Sequence, residues 1–110
     1  MFKRHGTEGY VHLKEGVEQK TLAYGRDTLL SEFRLKRGSI VPAHAHPYEQ
    51  TGYLIRGKLK LTTEQESFVA VPGDSWSIPA NAVHGAEALE DSLAVEVFSP
   101  LREDYLPKNQ

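Results

Sequence analysis

The stretch "GSIVPAHAHPYEQTGYLIRG", Gly38 to Gly57, decides how this chain is read. It sets two histidines, His44 and His46, one residue apart, then a glutamate and a glutamine side by side, Glu49 and Gln50. Side chains on a strand alternate between its faces. By that parity His44, His46 and Gln50 share one face, and Glu49 turns away from them unless a bulge intervenes. A third histidine, His84, follows the turn-forming stretch "PANAVH". Three imidazoles brought together by a barrel would suit a divalent transition metal such as Zn, Ni, Fe, Mn, Co or Cu.

Around this stretch the chain reads as short strands broken by turns. "VEQKTLAYG" (Val17 to Gly25) forms a first strand. "TLLSEFRLKRG" (Thr28 to Gly38) alternates, with Leu29, Phe33 and Leu35 on one face and Glu32, Arg34 and Lys36 on the other. "TGYLIRGKLKLTTE" gives two segments meeting around Arg56 and Gly57. "SFVAVPGDSWSIPANAVH" holds a strand, a Pro-Gly-Asp turn, a second short strand and a Pro-Ala-Asn turn. "SLAVEVFSP" (Ser92 to Pro100) is β-branched and alternating, and "PLREDYL" offers one helical turn. The pattern predicts an all-β sandwich or barrel. The free edges of so small a sheet invite pairing into a homodimer.

Composition narrows the function classes. The chain has 110 residues, room for one domain and not for two. A formal charge of −2 leaves no electrostatic footprint for nucleic acid. No apolar run is long enough for a membrane span. The opening "MFKRHGTEGY" has no apolar stretch of the secretory kind, so a cytoplasmic location is expected. With no cysteine in the chain, disulfides, thiol catalysis and thiolate ligands are excluded, and any metal must sit on nitrogen and oxygen.

Other residues are weighed against plainer roles. His5 and His12 have no partner at ligand spacing and are read as ordinary histidines. Glu96 and Phe98 share parity on the last strand, and Arg102 follows the Ser99-Pro100 turn. If that face points inward, the barrel mouth gains a carboxylate, an aromatic wall and a guanidinium suited to a carboxylate ligand. If it points outward, Glu96 and "RED" are solvated and Phe98 is simply core. Trp76 is read as core or pocket wall, and Tyr48 as a neighbour of the ligand face. Tyr53 has the opposite parity, and Arg56 and Lys58 are solvated at a bend.

The flanking residues carry a resemblance. From Gly38 there are five residues to His44, one to His46, three to Gln50 and six to Gly57. From Gly73 there are five residues to Pro79, and His84 comes five positions after it. This resembles both motifs of the cupin superfamily, G-x5-H-x-H-x3-4-E-x6-G and G-x5-P-x-G-x2-H-x3-N. The resemblance implies a single RmlC-like jelly-roll domain over residues 1–110, with the motifs at 38–57 and 73–88. Three positions depart from the pattern. Gln50 stands in the glutamate slot, Asn81 in a glycine slot and Ala88 in the final asparagine slot. Asn tolerates left-handed backbone, so the turn at position 81 can survive.

Gln50 changes the chemistry. Three neutral imidazoles and a neutral amide leave the charge of a divalent ion uncompensated, which favours an anionic ligand and Lewis-acid use of the metal. Gln50 is either that fourth ligand or a structural amide beside a water. His-x-His-Pro-x-Glu-Gln, with a terminal Phe-Ser-Pro-x-Arg-Glu-Asp, is similar to the small cupins that linearise unsaturated uronates in pectin and alginate breakdown. That similarity implies His44, His46, Gln50 and His84 as ligands, with Glu96, Phe98 and Arg102 at the mouth. The relatives' acid is aspartate, one methylene shorter than Glu96. The expected function is conversion of an unsaturated uronate to a linear ketouronate. The alternatives are a metal-dependent dioxygenase and a non-enzymatic sugar- or metal-binding module.

Overall fold

The computed structural model describes residues 1–107. Ten strands run in order: β1 (Val11–Lys14), β2 (Val17–Tyr24), β3 (Leu29–Leu35), β4 (Ile40–His44), β5 (Glu49–Arg56), β6 (Leu59–Thr63), β7 (Ser67–Ala70), β8 (Ser75–Ile78), β9 (His84–Ala88) and β10 (Ser92–Ser99). They form two antiparallel sheets, one in the order β1-β2-β3-β10-β5-β8 and the other in the order β4-β9-β6-β7. The turn-punctuated pattern therefore gives the all-β architecture expected of it. The helical turn in "PLREDYL" is a short 3-10 segment, Glu103–Tyr105. Among the described residues no helix is long and apolar enough to cross a membrane.

Alternation follows burial. On β3, Leu29, Ser31 and Leu35 are buried, Phe33 is half-buried against the core, and Arg34 is exposed. By contrast β1 is exposed throughout and β4 almost so. Neither has a buried face, so neither announces itself by an apolar period.

The inner face of β10 changes character along its length. Ser92 and Ala94 are buried at one end, with Ala94 in the apolar cluster formed with Val17, Leu35, Leu54, Leu59, Ala70 and Ala88. Two and four residues further, Glu96 and Phe98 continue the same inward register. On β5, which pairs with β10, Leu54 lies in the core, Gly52 opposes Glu96 and Gln50 opposes Phe98. One end of the barrel is thus sealed by aliphatic packing, and the other is lined with polar and aromatic groups.

Two turn residues show why the motif positions are what they are. Gly57, between β5 and β6, has φ +100°, and a Cβ there would lie 2.3 Å from Ser92 Oγ and 2.4 Å from the Asp91 carbonyl oxygen. Only glycine fits. Asn81 has φ 67°, the left-handed backbone that its motif slot demands.

Candidate metal centre

Three histidines meet at the open end. His44 ends β4, His84 begins β9, and the two are directly opposed across that pair of strands. His46 lies in the connection to β5. Its carbonyl accepts a hydrogen bond from the Asn81 amide at 2.7 Å, which ties it to the loop that delivers His84. One ring nitrogen from each of the three lies within 4.8 Å of the others. His5 and His12 are exposed and belong to no such group.

Hydrogen bonding fixes which nitrogens are available. The Nδ1 of His44 meets the Pro42 carbonyl at 2.9 Å, that of His46 meets the Tyr48 carbonyl at 3.1 Å, and that of His84 meets the Ala82 carbonyl at 2.8 Å. A carbonyl only accepts, so each Nδ1 carries the proton and each Nε2 keeps its lone pair. That is the tautomer and the outer support that a metal-ligating imidazole needs. Burial, aided by the Arg102 charge, lowers the pKa of His46. His84 is lowered chiefly by burial as well. Both shifts favour the neutral, ligating form. The donor set therefore fits a divalent transition ion.

Gln50 joins this group from the other sheet. It is buried, 6% exposed, while Glu49 beside it is exposed. Its Nε2 donates to Glu96 Oε2 at 2.8 Å. With the amide nitrogen so engaged, the amide oxygen is the end left for the histidines. The Gln50 side chain lies beside the His46 ring, where it works against the downward pull of burial on that imidazole. Gln50 thus touches both the histidine group and the carboxyl behind it.

Glu96 is held from two sides. Its Oε2 accepts from Gln50 and from the Trp76 indole Nε1, also at 2.8 Å. Burial raises its pKa to about 6, against the opposing pull of those two donors and of Arg102. Trp76 reaches this position across Gly52, whose bare backbone lies under the indole. A Cβ at Gly52 would lie 2.2 Å from the ring. Gly52→Ala is therefore expected to push the indole aside and to destabilise the fold by about 1–3 kcal/mol, the usual cost of overpacking. A urea titration followed through the single tryptophan reads both effects, and an unchanged midpoint and emission would refute it.

Arg102 closes the mouth. Its guanidinium carbon lies 4.0 Å from the Tyr105 ring centre, 4.8 Å from Phe98 and 5.2 Å from Tyr48. Its Nε donates to Asp104 at 3.1 Å. Burial pushes the Tyr105 hydroxyl up to about 12. A cavity of about 170 Å³ runs between the sheets, with His44, His46, His84, Gln50, Glu96 and Arg102 along it. That room suits a ligand of single-ring size.

Every residue singled out for the site faces this space. Two neighbours are more than the sequence reading made of them. Trp76 is both packed against the core and bonded to Glu96, and Tyr105 stacks on Arg102. A glycine inside a strand, Gly52, was the available sign of a close approach. Nothing local marks Tyr105.

A cupin domain model matches residues 31–99. The chain is similar to the solved structure of KdgF from Halomonas sp., with 33% identity, a TM-score of 0.85, and coverage of 90% of this chain and 94% of that one. An RmlC-like cupin from Shewanella frigidimarina shares the fold at 23% identity and a TM-score of 0.84, covering 94% of this chain and 97% of that one. So does the polyketide cyclase RemF from Streptomyces resistomycificus, at 19% identity and a TM-score of 0.76, covering 91% and 80%. No curated protein matches the sequence.

Proposed function

Since the chain belongs to the cupin superfamily, we propose that it is a metal-dependent enzyme that opens the ring of a small unsaturated uronate to a linear ketouronate. One observation carries this reading. The carboxyl of Glu96, linked by Gln50 to the histidine group, shares one cavity with the Arg102 cation. The likeness to KdgF supports it.

His44, His46 and His84 would hold the metal, with Gln50 as the fourth donor. When bound, a divalent ion supplies Lewis-acid polarisation of substrate oxygen. Arg102 binds the substrate carboxylate, its terminal amino groups offering a two-pronged contact while Asp104 holds Nε. Phe98 flanks the ring, and Tyr48 and Tyr105 shield the guanidinium beside it. Glu96 moves the proton. The balance is an isomerisation. The anomeric hydroxyl loses a proton, the bond from the anomeric carbon to the ring oxygen breaks, and the former double-bond carbon gains a proton. The products are an aldehyde and a ketone in one open chain.

Metal-loaded protein incubated with a 4,5-unsaturated monouronate is expected to remove the enol absorbance at least about a thousandfold faster than the uncatalysed background. Decay at the background rate, with metal content verified, would refute the reading. Oxygen uptake during the reaction would point to oxygenase chemistry instead.

A further inference from the structure

The C-terminal segment that carries Arg102 and Tyr105 is held by a polar chain that starts at a buried glutamine on β2, in the same sheet as β3 and β10. Gln19, 3% exposed, donates from Nε2 to Thr21 Oγ1 and to Ser31 Oγ, both at 2.9 Å. Thr21 in turn donates from its hydroxyl to the Tyr105 backbone carbonyl. The direction of this chain is fixed. An amide NH2 only donates, so the Thr21 oxygen is an acceptor toward Gln19 and its proton points at Tyr105. A bulge in β2 follows Thr21, where the register against β3 shifts between Thr21 and Ala23. Bulges re-aim side chains beside functional sites. Above the anchored carbonyl, the Tyr105 ring meets Phe33 and Phe98 edge-on at 6.1 and 5.6 Å, and its face carries the Arg102 guanidinium.

We propose that Thr21, oriented by Gln19 and Ser31, is a positioning residue that fixes Arg102 over the cavity through the Tyr105 carbonyl. The inference rests on the reading of Arg102 as the carboxylate anchor. Thr21 touches neither substrate nor metal donors. Its effect is to hold one end of the segment, so that the guanidinium meets a carboxylate already in place.

Thr21→Val keeps the side-chain shape and removes the hydroxyl. In the metal-loaded variant KM for the unsaturated monouronate is expected to rise about five- to tenfold, the equivalent of one lost hydrogen bond, while kcat stays within about twofold. Metal content is expected to match the parent. In a 15N-labelled sample the Arg102 Nε–H resonance, displaced by the surrounding rings, is expected to move and broaden. Thr21→Ser, which restores the hydroxyl, is expected to return both KM and the resonance to parental values. Should the valine variant fail to fold, Thr21→Ala replaces it. An unmoved Arg102 resonance with unchanged KM overturns the proposal, as does failure of serine to rescue either reading. If the parent does not turn over the uronate, the uronate reading falls and the resonance alone decides the anchor.

Discussion

Replacing His84 by alanine is expected to lower metal affinity by more than about a hundredfold and to abolish turnover. Loss of an outer-shell partner alone costs about ten- to a hundredfold, and His84 offers a donor nitrogen directly. It is buried, its Nδ1 is held by Ala82, and it opposes both His44 on β4 and Thr63 on β6. Elemental analysis after gel filtration, beside a denaturation midpoint, separates lost coordination from lost folding. A folded variant that retains metal at parental stoichiometry would exclude His84 as a ligand.

Glu96→Gln is expected to reduce kcat by about a hundred- to ten-thousandfold, the range of general acid–base catalysis, and to leave metal content and fold intact. The substitution is nearly isosteric, and an amide oxygen can still accept from Trp76 and Gln50 at the Oε2 position. What it removes is the exchangeable proton. Glu96→Asp asks a different question, because a shorter side chain withdraws from both donors. Steady-state kinetics with the unsaturated uronate compares the two. Activity of the glutamine variant at the parental level would remove Glu96 from the chemistry.

Much of this site could be read from the chain, though not always for the reason that parity suggests. His44, His46 and Gln50 do converge, and Glu49 does turn outward. Yet they do not lie on one strand. β4 stops at His44 and β5 starts at Glu49, in different sheets. Alternation groups these three, and they do line one cavity, because the chain crosses from one sheet to the other there. That Glu96 and Phe98 share a face was legible from parity, but which way that face points was not, and the structure turns it to the cavity. Residues whose role depends on pairing distant in sequence were not legible either. The contact of Trp76 with Glu96 passes over Gly52, and the hold of Thr21 on Tyr105 joins residues 84 apart in the chain. Alternation records which way a side chain points and says nothing of what it meets there.

The split of the donors between two sheets has a mechanical consequence. The three imidazoles form one unit, joined by the pairing of β4 with β9 and by the bond from Asn81 to His46. Gln50 belongs to the opposite wall, fastened to Glu96. Any displacement of one wall against the other would leave the histidines together and draw only the amide away. In such a displacement the glutamine would be carried with the acid it is bonded to.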